Sequence, residues 1–188
     1  MKIDLHSHSF YSDGVLSPSA VVKLASQAGC ELFSLTDHDT TEGSAEAKLE
    51  ADKLNLNLIN GVEISAFWRN MAIHILGLGI DINNDILQTG LEHNQKLRKE
   101  RAEKIALSLW RSGIKDALEK TQSFSKTDML TRTHFAQMLI SEGYCKDMKA
   151  VFRRYLTGKK PGGVCVEWKG FDEVVHWIHA AGGKALIA

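Results

Sequence analysis

The sequence predicts an α/β fold built around a parallel sheet or barrel, and two observations lead to this prediction. Short apolar segments alternate with amphipathic segments over residues 2–81, a pattern typical of strand–helix–strand units. Polar residues, several of them histidines, follow the apolar segments where these end. In parallel α/β folds the edge of the sheet at these strand ends carries the active site, because several strands deliver side chains to one place.

The first part of the chain predicts four strands and two helices. The expected strands are a buried segment at 2–6 and further segments at 31–39, 56–65 and 71–80. Helices are expected between them at 16–29 and 41–55. Ser17 is the predicted N-cap of the first helix, Pro18 lies in its first turn and Gly29 ends it.

The pattern changes after Asp81. Residues 83–158 predict several helices and no strand, and we interpret this segment as a helical insertion that covers the active site. A β-rich pattern resumes at "GGVCVEW", and a helix capped by Asp172 then precedes a last strand, "KALIA". The remaining residues, 1–82 and 159–188, are predicted to form a single barrel domain.

The composition excludes several classes of function. The 188 residues are 44% hydrophobic and 24% charged, as in ordinary folded proteins, and 23 Lys and Arg balance 23 Asp and Glu. This balance argues against stable binding of duplex DNA, which needs a broad basic face, but leaves open a nucleotide or short RNA. No apolar segment approaches a membrane span. No signal peptide is recognised, and the scattered Cys30, Cys145 and Cys165 predict reduced, mostly buried thiols in a cytoplasmic protein.

Histidines and carboxylates at the strand ends predict a metal site. His6 and His8 lie two residues apart on an extended chain, so both side chains point to one side and can bind one ion. Asp13 follows on a turn made possible by Gly14. Imidazoles and carboxylates without thiolates suit Zn²⁺, Mn²⁺ or Fe²⁺ in open hydrolytic sites, and their number favours two or three ions. The predicted ligands are His6, His8, Asp13, His38, Glu63, His74 and His134, of which Asp13, His38 and Glu63 are also predicted to be catalytic.

For some histidines and aspartates of this part of the chain, a purely structural role is the alternative to a role in the metal site. A histidine inside an apolar strand, such as His74, is by itself read as a core residue, but beside the others it is predicted to be a ligand. Asp37 and Asp39 are predicted to orient metal-bound imidazoles, with a helix N-cap as the alternative for Asp39. Three histidines lie on amphipathic helices and are predicted to be solvated: His93, His176 and His179.

At these residues the sequence resembles a known family. "HSHSFYSDG", "TDHD", "GVEIS" and the histidine of "AIHILGLGI" resemble, in order, the motifs of the PHP (polymerase and histidinol phosphatase) phosphoesterases. "LRKERAEKIALSLWRSG", "RTHFAQMLISEG", "FRRYLTGKKP" and "IHAAGGKALIA" resemble the bacterial 3′,5′-nucleoside bisphosphate phosphatases, which also act as 5′→3′ exoribonucleases. The resemblance implies a distorted (β/α)7 barrel with a trinuclear metal site.

The resemblance also implies roles for single residues. Arg101 and Arg132 become candidates for binding substrate phosphate, with exposed helix-face charges as the alternative. In the family a His-Pro pair and an Asp-x-His segment follow the strand that resembles "KALIA"; this sequence has neither, so the barrel is expected to be C-terminally incomplete. The three implied metal positions have these ligands: His6, His8 and Glu63; Asp13 and His38; and Glu63, His74 and His134.

The predicted activity is metal-dependent hydrolysis of phosphate esters of nucleotides, such as a 3′,5′-nucleoside bisphosphate, or of RNA 5′ ends. Divalent ions activate water and neutralise the charge of the phosphoryl group in such reactions. Two alternatives stay open. One is a histidinol-phosphate-type phosphatase of small molecules, and the other is a truncated, catalytically silent metal-binding module for nucleic acids.

Overall fold

The computed structural model describes all of residues 1–188 and contains two compact units. The first unit comprises residues 1–95 and 168–188, and the second comprises residues 96–167. None of the helices combines the length and the apolar character that crossing a membrane would require. The interpretation of 83–158 as an insertion that covers the active site stays a prediction.

The secondary structure mixes short strands with helices of very different length. In chain order the elements are β1 (Ile3–Asp4), α1 (Pro18–Gln27), β2 (Leu32–Phe33), α2 (Ser44–Lys53), β3 (Asn57–Leu58), β4 (Gly61–Trp68), β5 (Met71–Leu78), α3 (Asp85–Arg111), α4 (Ala117–Gln122), α5 (Arg132–Ser141), α6 (Met148–Val151), a π-helical turn (Phe152–Leu156), α7 (Phe171–Ala180) and β6 (Lys184–Ile187).

The strands form two three-stranded sheets and no closed barrel. The first sheet is parallel as predicted, in the order β1-β2-β3. The second, β4-β5-β6, is antiparallel, so the prediction of a parallel arrangement is wrong there. Arg69 and Asn70 form the two-residue turn between β4 and β5, both with positive φ, as the twist of a tight hairpin favours. So short a connection cannot make the crossover that parallel strands need.

Several local predictions are also wrong. The strand β1 is exposed, because it lies at the edge of its sheet with a neighbour on one side only. The segment predicted as one strand at 56–65 is divided between β3 and β4, and "GGVCVEW" forms no strand. Gly170, not Asp172, is the N-cap of α7. Of the three free cysteines, Cys145 alone is buried and Cys165 is exposed.

Two hydrophobic cores lie in the first unit and support the strands. The helices α1 and α2 pack on the first sheet through a core that includes Phe33. The helix α7 packs on the second sheet against Val62 and Ile64 of β4. Because side chains alternate along a strand, packing of these two residues turns Glu63 and Ser65 to the opposite face. The orientation of Glu63 therefore follows from the apolar pattern of its neighbours.

The second unit has a hydrophobic core of its own. Its helices α4, α5 and α6 and the second part of α3 supply most of the buried side chains. The largest of these that are almost fully buried are Ile105, Leu109, Phe135, Met138, Leu139 and Leu156.

The predicted cap of α1 is confirmed and can be tested. Ser17 Oγ accepts a hydrogen bond from the backbone N–H of Ala20 at 3.2 Å, with Pro18 at the first helical position. We expect Ser17→Ala to lower the free energy of unfolding by about 1 kcal/mol, because one helix N–H loses its partner. Urea denaturation measures this, with Gln27→Ala, exposed at the far end of the same helix, as the control. Equal stability of the two variants would contradict the capping role.

Candidate metal centre

The segment after β1 brings two imidazoles to one carboxylate oxygen. Nε2 of His6 lies 2.9 Å from Oε2 of Glu63, and Nε2 of His8 lies 3.1 Å from the same oxygen. The two rings meet edge to face with their centroids 5.2 Å apart. The alternation of the extended chain therefore places both histidines on one side of Glu63.

A tight turn places Asp13 beside the same histidines. The backbone N–H groups of Ser12 and Gly14 both donate to the carbonyl of Ser9. A Cβ atom on Gly14 would collide with the carbonyl of His8, so glycine permits this close approach. As a result Oδ1 of Asp13 lies 3.7 Å from Nδ1 of His8.

The other two histidines reach Glu63 from different elements. His38, beyond β2, forms a parallel bridge with Glu63, and its Nδ1 lies 3.3 Å from Oε2. His74 on β5 is paired with Ser65 on β4 and therefore lies diagonally across the hairpin from Glu63. Its Nδ1 is 2.7 Å from Oε1 of Glu63. Both carboxylate oxygens thus contact imidazoles.

These residues form three overlapping groups that could each hold a metal ion. Within a group, one donor atom from each residue lies within 4.8 Å of the others. Every nitrogen within ion-pair distance of Glu63 belongs to an imidazole, and both neutral imidazoles and carboxylates are metal ligands. The groups are His6, His8 and Glu63; His8, Asp13 and His38; and His38, Glu63 and His74.

The two most perturbed groups of the site are Glu63 and His8. Burial alone would raise the pKa of Glu63, but hydrogen bonds from His74 and His8, with the charge of His38, lower the pKa far below its usual range. For His8, burial lowers the pKa, whereas the hydrogen bond to Glu63 and the charge of Asp13 raise it, with a raised pKa as the result. Positive charge around Glu63 therefore stabilises its ionised carboxylate. This charge can come from protonated imidazoles or from metal ions that the imidazoles bind.

Asp37 is buried and holds the Ser9–Ser12 turn. Its Oδ1 accepts hydrogen bonds from the backbone N–H of Ser9 at 2.7 Å and from the Ser12 hydroxyl at 2.6 Å. Its Oδ2 accepts one from the Ser9 hydroxyl at 2.6 Å. Asp37 therefore makes its hydrogen bonds to serines, and its predicted role in orienting metal-bound imidazoles stays a prediction.

Asp39 joins the segment beyond β2 to β4 and α3. Its carboxylate accepts from the N–H and hydroxyl of Ser65, at 2.8 and 2.9 Å, and from Nδ2 of Asn94 at 2.8 Å. The alternative that Asp39 caps a helix is wrong, because Gly43 is the N-cap of α2. The orientation of imidazoles by Asp39 also stays a prediction.

Sequence reasoning missed the hydroxyl and amide partners of these aspartates. Ser9 and Ser12 lie inside "HSHSFYSDG", but nothing in this motif indicates Asp37 as their partner. Asn94 lies 55 residues from Asp39 and carried no signal. Of the histidines predicted to be solvated, His176 and His179 are exposed and His93 is partly buried.

Three predicted site residues lie in the second unit. His134 is buried and completes a capping box at the start of α5, where its Nδ1 accepts from the N–H of Thr131 at 3.2 Å. Arg101 is buried and Arg132 is partly buried, so neither is an exposed helix-face charge. Burial lowers the pKa of Arg132, and Nη2 of Arg132 donates to the carbonyl of Val164 at 2.9 Å.

The motifs around this centre match a known family. A family model described as the PHP domain matches residues 4–181. The chain belongs to the PHP domain family. Among curated relatives, this PHP chain is 43% identical over 187 residues to a 3′,5′-nucleoside bisphosphate phosphatase of Chromobacterium violaceum, covering 99% of the chain and 66% of the relative. It is 41% identical to the 5′-3′ exoribonuclease Rnm of Escherichia coli, covering 98% of the chain and 64% of the relative.

Solved structures give the same picture of the PHP fold. An amidohydrolase from Chromobacterium violaceum, with bound sulfate and no metal, superimposes with a TM-score of 0.96 at 42% identity, covering 100% of this chain and 66% of that one. A Bifidobacterium adolescentis structure superimposes with a TM-score of 0.93 at 23% identity, again over 100% of this chain and 66% of that one, which shows the fold alone. The mixed α/β fold is thereby confirmed. The chain spans about two thirds of the length of these relatives.

The raised pKa of His8 predicts opposite pH trends with and without metal. Folding favours the protonated form of His8. The stabilisation that His8 gives to the folded state is therefore complete below its ordinary pKa of 6.5, and it is lost as the pH rises through the raised pKa. In chelator, we therefore expect the Tm advantage of the wild type over His8→Asn to shrink across this range. In Mn²⁺ it should grow, because metals bind the neutral imidazole. Glu63 stays ionised throughout, since its pKa is lowered.

Scanning calorimetry of both proteins, in chelator and in Mn²⁺, measures the two trends. Subtracting the variant removes the contribution of the other titrating groups. An advantage that changes in the same direction under both conditions would contradict the interpretation.

Proposed function

We propose that this chain is a metal-dependent phosphoesterase that hydrolyses phosphate esters of nucleotides, either a 3′,5′-nucleoside bisphosphate or the 5′ end of RNA. The observation that carries the proposal is the convergence of four imidazoles and the carboxylate of Asp13 around Glu63. The names of the two curated relatives, a bisphosphate phosphatase and an exoribonuclease, support the substrate class.

The donor set fits two or three divalent ions, of Mn²⁺, Zn²⁺ or Fe²⁺. Imidazoles and carboxylates without thiolates are typical of such ions in hydrolytic sites. When bound, these ions would supply Lewis acidity for the activation of water and for the neutralisation of phosphoryl charge. The proposed ligands in the first unit are His6, His8, Asp13, His38, Glu63 and His74.

Glu63 is proposed to bridge two metal positions. Its Oε2 contacts His6, His8 and His38, whereas its Oε1 contacts His74. Its side chain is only 3% exposed and lies on the eight-residue strand β4, so Glu63 contacts these two sets of imidazoles from a buried position. Catalysis requires groups held in a defined geometry, and a buried carboxylate on a strand suits this.

Asp13 and His38 are proposed to lie nearest to the reaction. Asp13 is 22% exposed, so water and substrate can reach its carboxylate, and its Oδ2 lies 3.9 Å from Nε2 of His38. A carboxylate in this place accepts a hydrogen bond from the attacking water and orients it. His38 lies beside this carboxylate. Both residues belong, with His8, to one of the three groups that could hold a metal ion.

Arg132 is proposed to bind substrate phosphate, and its geometry supports this role. Nη2 of Arg132 donates to the carbonyl of Val164, and the residue is only partly buried, so part of the guanidinium remains accessible. A guanidinium with N–H groups left to donate is a typical partner of phosphate oxygens. Arg101 as a second phosphate ligand and His134 as a metal ligand are proposed with it, on the resemblance of their motifs.

The finer description of the fold is a proposal as well. We propose that the strands belong to a distorted (β/α)7 barrel. The parallel bridge between His38 and Glu63 supports this proposal. It connects the segment that follows β2 of the first sheet to β4 of the second sheet, with both running in the same direction.

Removal of a ligand is expected to strip the centre. Glu63→Gln and His8→Ala should each lose bound metal, measured by elemental analysis. The rate of hydrolysis of 3′,5′-adenosine bisphosphate in Mn²⁺ should also fall. The loss should exceed the one seen when only a hydrogen-bond partner of a metal ligand is removed, which is about 10–100-fold. His176→Ala, exposed on α7, is the control and should keep both properties.

The same assays separate the alternatives. A wild type that binds no metal overturns the proposed function. Metal binding without hydrolysis of the bisphosphate, RNA or histidinol phosphate would indicate the catalytically silent module. Preference for histidinol phosphate would indicate the phosphatase of small molecules.

Replacement of Arg132 is expected to affect substrate binding alone. Arg132→Gln should raise KM by about 10–100-fold, the equivalent of one charge-assisted hydrogen bond, with metal content unchanged. Steady-state kinetics beside elemental analysis measure the two quantities, and Arg153→Gln, at an exposed position, is the control. An unchanged KM would refute the role of Arg132 in binding phosphate.

A further inference from the structure

We propose that this chain forms a symmetric dimer in which an acidic, apolar groove of each copy receives a basic segment of the other. The groove lies between α3 and α4, and the basic segment comprises residues 146–160. Both belong to the second unit, so one two-fold axis can bring each groove to the segment of the other copy. The inference does not depend on the proposed function, since it concerns neither the metal nor the substrate.

The groove exposes three large apolar side chains. Leu107 and Trp110 lie one turn apart on α3, Leu118 lies on α4, and all three line a groove of about 640 Å³. The side chain of Trp110 is 58% exposed, more than that of any other tryptophan of the chain. A single exposed apolar residue is ordinary, but a contiguous group that includes an exposed tryptophan is typical of an interaction surface.

The charged residues of the groove are all acidic. Glu103, Asp116 and Glu119 line it, whereas no lysine or arginine does. The neighbouring Lys104 and Lys120 form their ion pairs with other glutamates, so these three carboxylates have no cationic partner within the chain. The groove therefore favours an occupant that combines apolar side chains with positive charge.

The segment 146–160 has the complementary charge. It contains six lysines and arginines and one acid, Asp147, whose carboxylate is used as the N-cap of α6. All six cations are exposed, and none of them forms an ion pair within the chain. Met148 is exposed and Tyr155 is partly buried, so the segment also offers apolar surface. The six cationic residues are Lys146, Lys149, Arg153, Arg154, Lys159 and Lys160.

A second copy of the chain is the occupant that these charges favour. Over the whole sequence 23 Lys and Arg balance 23 Asp and Glu. The groove and the basic segment are therefore regions of opposite charge on a chain without net charge, and such a chain does not repel its own copies. In a dimer with two-fold symmetry the contact between groove and segment forms twice, so that two modest contacts add.

Sedimentation velocity of the full chain, over a wide range of protein and salt concentrations, tests for the dimer. We expect association that increases with protein concentration and weakens with salt, because salt screens exposed charges. Trp110→Ala should weaken the dimer by about 30-fold, as is typical of a tryptophan at the centre of an interface. Trp68→Ala, which removes the exposed tryptophan of β4, is the matched control. Circular dichroism checks that each variant is folded.

Charge reversal tests whether the groove and the segment pair with each other. Glu103→Lys/Glu119→Lys makes the groove basic, and Arg154→Glu/Lys159→Glu adds two acids to the segment. Each double variant alone should associate at least about tenfold more weakly than the wild type, because like charges then meet in the contact. A mixture of the two double variants should associate again, since each groove then meets a segment of opposite charge.

A second mixture controls for simple attraction between oppositely charged chains. Glu42→Lys/Glu92→Lys changes the net charge as much as the groove variant does, but at exposed positions of the first unit. Mixed with Arg154→Glu/Lys159→Glu, it should associate more weakly than the first mixture. A wild type that stays monomeric at every concentration overturns the inference, as when the groove binds another protein or the segment binds RNA. Equal association of the two mixtures, or of Trp110→Ala and the wild type, overturns it as well.

Discussion

The buried carboxylate of Glu63 is the constraint on which the rest of the site depends. A buried charge is costly unless it is paired, and here its partners are imidazoles from three separate segments of the chain. The hydrophobic core beneath β4 turns Glu63 to the opposite face, and the hairpin register places His74 diagonally beside it. Packing of apolar side chains thus positions the charged centre, although none of them contacts it.

A layer of aspartates with hydroxyl and amide partners supports the imidazoles. Asp37 and Asp39 flank His38 and are both almost fully buried, yet their hydrogen bonds go to serines, to Asn94 and to backbone N–H groups. They therefore fix the backbone on either side of His38. Ser12 lies between this layer and the centre, because its hydroxyl donates to Asp37 and lies 3.3 Å from Nδ1 of His8.

Sequence reasoning anticipated the helices of the first unit and its parallel sheet, because caps and apolar periodicity are local signals. The approach of His6 and His38 to Glu63 was expected from their positions at strand ends, whereas their role as ligands stays a prediction. The antiparallel sheet was missed because alternation is the same in both strand directions. The contact between Asp39 and Asn94 was missed because it depends on tertiary structure across 55 residues.

The exposure of the histidine side chains favours a catalytic site over a structural metal site. Structural metal sites are closed and rich in thiolates, whereas catalytic sites leave ligand positions open to water. Here Glu63 is 3% exposed, but His6 and His74 are each 42% exposed on opposite sides of it. The side chain of Glu63 is thus shielded from solvent, while the outer imidazoles are open to it. Residues of this kind would hold an ion while leaving ligand positions to water or substrate, as catalytic sites do.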